Sequence, residues 1–315
     1  MATVPYAYFQ RRIVPLAEAK IGIMTHAFNY GTAVFEGIRG NWNAGHKQLY
    51  LFRPEDHLRR IMRSARVCRI GLPYTVDEML KLVLEVAERS HYQEDVYMRP
   101  LAYKSAEKVG VRLHGIEDDF LIFITPFGPY LDVTKGIRCC VSSWRRIDDN
   151  SIPARAKVTG GYINSALAKS EAEEDGYEEA ILLTQDGHVS EGSGENIFLV
   201  IDGRLVTPPS SDNILIGITR ESIIALAREE MGVETVERSI DRSELFTCDE
   251  VFLTGTAAHV TSVAEIDRRP VGGKQGIGPI TARLQQLYFE VIRGDNPKYR
   301  HWLAPVYAQV TQKMK

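Results

Sequence analysis

Cysteine is scarce in this chain of 315 residues: four occur, at Cys68, Cys139, Cys140 and Cys248. None stands in Cys-x-x-Cys spacing, and the neighbours Cys139 and Cys140 would point to opposite faces of a strand. No disulfide framework, zinc site or other metal site is expected, and free thiols suit a reducing compartment. An excess of one charge is also missing. Thirty-eight Lys and Arg face 41 Asp and Glu, for a net charge of −3. The basic runs Arg59-Arg60 and Arg145-Arg146 are short, so no nucleic-acid partner is expected. No apolar run approaches membrane-spanning length, and residues 1–12 lack the apolar core of a secretion signal. A cytoplasmic protein without a membrane partner is the expectation. Repeats and low-complexity stretches are absent as well. What is present, 44% hydrophobic and 25% charged residues at this length, builds one large domain or two.

Residues 47–52 read as a strand, and Pro54 opens a helix whose apolar residues Leu58, Ile61, Met62, Ala65 and Cys68 follow helical spacing. Gly71 and Pro73 end it. Thr75 and Glu78 form a capping box for the next helix, and strands follow at 95–105 and 120–125. This gives a small α+β domain over 1–125. The two prolines and the glycine of 125–132 break any regular element, placing a linker at 126–136. A larger domain is expected over 137–315, with helices at 162–174, 221–231 and 280–293. The aromatics Tyr299, Trp302 and Tyr307 suggest that the tail packs on this larger domain.

Chemistry concentrates between Ile181 and Asn196. An apolar strand enters a Gln-Asp-Gly turn, and the return carries Glu191 and Glu195, separated by Gly192-Ser193-Gly194. Two glutamates held by small residues beside buried strands read either as a solvated hairpin or as a site that a ligand approaches closely. Lys157, between Ala156 and Val158, reads as a loop lysine or as an amine nucleophile. Gly217-Ile218-Thr219-Arg220 and Gly255-Thr256-Ala257 read as caps and turns or as anion cradles of free N–H groups. An amine, a phosphate cradle and a carboxylate for a pyridinium nitrogen together are what a pyridoxal phosphate site requires.

The order Arg155-Ala-Lys157, Tyr162, Ser190-Glu-Gly-Ser-Gly-Glu-Asn196, Gly217-Ile-Thr-Arg220 and Gly255-Thr-Ala257 resembles the pyridoxal-phosphate enzymes of fold type IV. That group includes branched-chain and D-amino-acid aminotransferases and aminodeoxychorismate lyases. The likeness runs from about Thr25 to Gly294. Residues 26–39 and Tyr97-Met-Arg-Pro100 are similar to the branched-chain forms. The resemblance implies an α+β chain whose larger domain has a β-barrel-like core flanked by helices. It implies that Lys157 binds pyridoxal 5′-phosphate covalently and carries a proton. By register, the acid five residues before Asn196, Glu191, would pair with the pyridine nitrogen, and Glu195 would support it from the same loop. Tyr162 would bond the 3′-oxygen, while Arg60, Ile218, Thr219 and Thr256 would hold the phosphate.

The same resemblance implies a substrate carboxylate near Tyr97 and the amides of Thr256 and Ala257. Phe35, Gly37, Phe127, Tyr130 and Tyr162 would line the side-chain pocket. Arg99 would accept the distal carboxylate of glutamate, and Tyr30 would reach in from a second subunit of a homodimer or higher homo-oligomer. The implied reaction moves the amino group of leucine, isoleucine or valine to 2-oxoglutarate, reversibly and by a ping-pong route through pyridoxamine phosphate. Its partners would be small amino acids and 2-oxo acids. A D-amino-acid or (R)-amine transaminase, an aminodeoxychorismate lyase and a non-catalytic α+β binding protein are the alternatives.

Overall fold

The computed structural model describes residues 4–273 and 276–308, so residues 309–315 of the expected larger domain lie outside the described residues. Seven early strands form one antiparallel sheet. They are β1 (Tyr6–Phe9), β2 (Arg12–Pro15), β3 (Ala33–Phe35), β4 (Ile38–Asn43), β5 (Gln48–Phe52), β6 (Val96–Lys104) and β7 (Asp118–Pro126). A short α1 (His26–Tyr30) precedes β3, and α2 (Pro54–Val67) and α3 (Val76–Ser90) cover the sheet. Pro54 opens α2, where its missing N–H costs nothing. The capping box of α3 is complete: Thr75 Oγ1 accepts from Glu78 N–H at 3.2 Å and Glu78 Oε2 accepts from Thr75 N–H at 2.7 Å. Leu58 and Ile61 of α2 are fully buried, each contributing roughly 1.5–3 kcal/mol. The buried face of α2 also carries His57, Arg60 and Ser64. Polar groups there need partners, and they find them at the seam between the two sheets.

The second sheet is mixed. Its strands are β8 (Ile137–Arg145), β9 (Glu179–Leu183), β10 (Val189–Gly192), β11 (Asn196–Ile201), β12 (Arg204–Thr207), β13 (Thr235–Glu237), β14 (Glu250–Gly255), β15 (His259–Ile266) and β16 (Arg269–Pro270). The order is β10-β9-β8-β15-β14-β11-β12-β13, with β16 beside β15. Four residue steps from Gly192 to Asn196 reach at most about 14 Å. Five strand intervals of a flat sheet would need about 24 Å. The sheet therefore curls until β10 lies beside β11, and the Gly192–Glu195 loop sits where the curl closes. Around it pack α4 (Tyr162–Glu174), α5 (Ile218–Met231) and α6 (Pro279–Ile292).

Three expectations change. The helix expected from Glu221 starts at Ile218, because Gly217 takes an extended conformation as its N-cap and releases the next three residues into the first turn. Strands β1 to β4, β13, β15 and β16 lie in stretches where no strand is expected from the sequence. The tail does not stay with the second sheet. Tyr299 packs there, beside Phe198 and Phe252, but β17 (Leu303–Pro305) pairs antiparallel with β5 of the first sheet. The side-chain oxygen of Gln48 accepts from the N–H groups of Val306 and Tyr307, closing that edge.

Candidate active site

Lys157 lies in the turn between β8 and α4, and its backbone is sewn to the first sheet. Its carbonyl accepts from Phe35 N–H at 3.1 Å, and its N–H donates to Ser64 Oγ of α2 at 3.2 Å. Nζ donates to Tyr162 Oη at 2.6 Å and sits 5.0 Å from the centre of the Phe35 ring. Half-buried, the amine points into a cleft walled by the second sheet, the first turns of α4 and α5, and Arg60 of α2.

Glu191 faces the same cleft and is 6% exposed, which answers the choice between solvated hairpin and enclosed site. Oε1 is 2.8 Å from Arg146 Nη2; Oε2 accepts from Leu215 N–H at 3.0 Å and from Asn196 Nδ2 at 3.2 Å. Burial raises the carboxyl above its ordinary value, with the Arg146 charge as the main opposing influence. Glu195, 4% exposed, accepts from Gly194 N–H at 3.0 Å and has no cationic partner of its own among the described residues. Burial, with Glu179 adding its negative charge, pushes it up to about 8. The two glutamates thus differ: one is ion-paired, the other is held toward the protonated form.

The far end of the cleft is built for an anion. Ile218 and Thr219 open α5, so their N–H groups have no helical acceptor, and Thr256 adds a hydroxyl from the turn between β14 and β15. A Cβ on Gly217 would lie 2.1 Å from Asn196 Oδ1, so only glycine allows this loop to close on β11. Arg60 lines the cleft, 7% exposed, and donates through Nη1 to Ile216 O at 2.7 Å. Its Nε and Nη2 clasp Glu36 at 2.6 and 2.8 Å, and Glu36 also bonds His57 Nδ1 at 2.7 Å.

A second cavity of roughly 530 Å³ adjoins the first through Lys157 and Tyr162. Phe35, Gly37, Tyr97, Arg99, Phe127 and Tyr130 line it, with Thr256 and Ala257 at one side. A Cβ on Gly37 would stand 2.1 Å from Tyr97 Oη, so glycine is what admits the tyrosine. Arg99 lies 4.3 Å from the Phe35 ring centre and donates to Tyr97 Oη at 3.0 Å, while its buried Nε has no partner. Tyr30 is the exception. It lies outside both cavities, 36% exposed, its ring centre 4.7 Å from that of His26 and tilted by 53° to it.

An amine, a buried carboxylate and a helix N-terminus converge on one cleft, and the class IV aminotransferase model matches residues 33–266. The chain belongs to the class IV aminotransferase family. A probable branched-chain-amino-acid aminotransferase of Aquifex aeolicus is 51% identical over 305 residues, covering 97% of this chain and 98% of that protein. The branched-chain aminotransferase of Thermoproteus uzoniensis, solved with norvaline, superposes with a TM-score of 0.92 at 43% identity, covering 96% of this chain and all of that one. The pyridoxal-phosphate form of the Thermobaculum terrenum enzyme gives 0.92 at 39% identity, covering 98% of this chain and all of that one. Resemblance, fold type IV architecture and pyridoxal phosphate dependence are thereby borne out. As a class IV aminotransferase the chain has a donor set that fits its cofactor: an amine for the aldehyde, an ion-paired carboxylate for the ring nitrogen, and N–H groups with hydroxyls for the phosphate. No described helix is long and apolar enough to cross a membrane, and no acid, His and Cys cluster among the described residues could hold a metal.

Reasoning from sequence passed over Arg146, Glu36 and His57. Arg146 stood in a short basic run, and nothing in that run marked it as the partner of a glutamate 45 positions on. Glu36 and His57 carried a weak signal: an acid inside an otherwise apolar stretch, and a histidine one helical turn before Arg60.

Proposed function

We propose that the protein transfers the amino group of L-leucine, L-isoleucine or L-valine to 2-oxoglutarate, reversibly and in ping-pong order. The observation that carries this reading is the second cavity. Its aromatic wall suits a branched aliphatic chain, and Arg99 in that wall offers a cation to a distal carboxylate. An apolar pocket without that arginine would exclude glutamate.

Bound pyridoxal 5′-phosphate supplies an aldehyde that takes up the amino group and a ring that withdraws electrons from the reacting carbon. The protein's own groups do the rest. Lys157 would carry the cofactor and move the proton at Nζ, with the Tyr162 hydroxyl 2.6 Å away orienting that amine. Glu191 would hold the proton on the ring nitrogen, and Arg146 would keep Glu191 ionised against its burial. Glu195 would leave the wall beside them uncharged at neutral pH. Arg60, the N–H groups of Ile218 and Thr219, and Thr256 would hold the phosphate. Tyr97 and the amides of Thr256 and Ala257 would receive the substrate carboxylate.

Tyr30 would serve the pocket of a second copy in a homodimer or larger assembly. Supporting this, it stands outside its own pocket, its hydroxyl accepting from Gly110 N–H, among Ile23, Phe28, Val109 and Val111, which are all more than 60% exposed. A monomer by sedimentation velocity would rule the assembly out.

The test compares L-leucine, D-alanine and (R)-1-phenylethylamine as donors to 2-oxoglutarate, with Lys157→Ala as control. L-leucine is expected to be preferred at least tenfold. Preference for D-alanine or the amine would replace the branched-chain reading, and equal turnover by Lys157→Ala would remove the catalytic lysine.

A further inference from the structure

Glu36 has no exposed surface, yet it carries a full charge between β3 and β4, where its neighbours are apolar. Among the described residues, all its side-chain hydrogen bonds go to α2, while its backbone N–H donates to Pro100 O of β6. Oε1 accepts from Arg60 Nε and Oε2 from Arg60 Nη2, a two-pronged clasp, and Oε2 accepts a third bond from His57 Nδ1. His57 and Arg60 stand one turn apart on the buried face of α2, so both reach the same carboxylate. An ionised carboxylate only accepts, so Nδ1 is the protonated nitrogen of His57. Burial holds the imidazole below its ordinary value and neutral.

On the other side of the guanidinium, Nη1 donates to the carbonyl of Ile216, the residue just before Gly217. Three of the five guanidinium N–H groups are thus fixed, and two remain, one on each terminal nitrogen. Arg60 borders both cavities. A buried ion pair is seldom more stable than apolar side chains of the same volume, so folding alone does not account for this one. What the clasp does supply is orientation: it fixes the plane and rotation of one guanidinium beside the N-terminus of α5.

We propose that Glu36, itself held by His57, is a positioning residue that aims the two free N–H groups of Arg60 at the cofactor phosphate. This rests on the reading of Arg60 as a phosphate ligand. Glu36 touches neither cofactor nor substrate and acts only through Arg60. Its negative charge also cancels that of Arg60, so the phosphate is held by directed hydrogen bonds more than by net charge.

The experiment measures the affinity of the cofactor-free protein for pyridoxal 5′-phosphate and for pyridoxal, which shares the ring and the aldehyde but lacks the phosphate. Glu36→Gln is expected to weaken the phosphorylated ligand roughly tenfold to a hundredfold, the worth of one or two charge-assisted hydrogen bonds. Pyridoxal affinity stays unchanged. Arg60→Gln gives the same selective loss, and adding Glu36→Gln to it costs nothing further. Equal losses for both ligands, or a loss that persists in the Arg60→Gln background, would make Glu36 merely structural and overturn the proposal. Tighter phosphate binding by Glu36→Gln would overturn it too, since charge cancellation would then outweigh aim. Unchanged affinity in Arg60→Gln fails separately, by removing Arg60 itself from the phosphate site. Should Glu36→Gln not fold, Glu36→Asp decides: it keeps the charge but shifts the clasp, so selective loss supports positioning and wild-type affinity overturns it.

Discussion

Replacing Arg146 with glutamine removes the one cation among the described residues that touches Glu191 and leaves the rest of that carboxylate's surroundings intact. The N–H of Leu215 and the amide of Asn196 still donate to Oε2, but Oε1 loses its partner at 2.8 Å. The side chains are only 15% and 8% exposed, so water does little to screen the pair. An opposite charge at such a distance depresses a carboxyl pKa by about 1–3 units, or about 1.4–4 kcal/mol. Without it, Glu191 should rise by that amount and, in the role proposed for it, would keep the proton that the ring nitrogen needs. A neutral ring withdraws electrons poorly, so the half-reaction with L-leucine should slow by about tenfold to a thousandfold. The sign of the pH dependence follows. With the role proposed for it, activity would need Glu191 ionised and be present above its pKa, so the acid limb of the rate profile should move to higher pH. Single-turnover rates on fully loaded enzyme, followed from pH 5 to 9, separate this from cofactor loss, and Arg146→Lys should recover part of the rate. A loaded Arg146→Gln enzyme with the wild-type rate and an unmoved acid limb would refute the reasoning.

Two further outcomes are expected. Glu195, raised from 4.5 to about 8 by burial and by Glu179, binds a proton in the folded protein that the unfolded chain has released. Its contribution is full below about pH 4.5 and lost as pH rises through 8, so cofactor-free Glu195→Gln should lose less thermal stability between pH 5.5 and 8.5 than wild type. An identical fall in both proteins would show that Glu195 is ionised. Gly217→Ala places a methyl 2.1 Å from Asn196 Oδ1, and forcing that contact should cost about 1–3 kcal/mol in denaturant unfolding and weaken cofactor binding. Unchanged values for both would mean the loop has room that the structure denies.

Much of the site was legible because its parts carry local chemistry. The acids flanking Gly192-Ser193-Gly194, the glycine before Ile218 and the lysine between Ala156 and Val158 all stand out within a few residues of chain. Their convergence was not legible from spacing, since it depends on the curl that brings β10 against β11. Arg146 and Glu36 escaped for a related reason: their partners lie on other elements, and an ion pair between distant elements leaves no mark on either segment alone. Long periodic helices such as α2 and α3 read well, as did the complete capping box at Thr75. Strand β3, three residues long, and β15, which begins at His259 in a left-handed conformation, offered too little alternation to read. The tail followed β5 because an open sheet edge is a strong template, a preference no composition of the tail records.

That last strand has a consequence for how the molecule comes into being. Leu303 pairs with Phe52, about 250 residues earlier, so the first sheet cannot finish assembling until Leu303–Pro305 have emerged from the ribosome. Until then β5 waits with a bare row of N–H and carbonyl groups, the form in which nascent chains find one another. The sheet that begins first is sealed last.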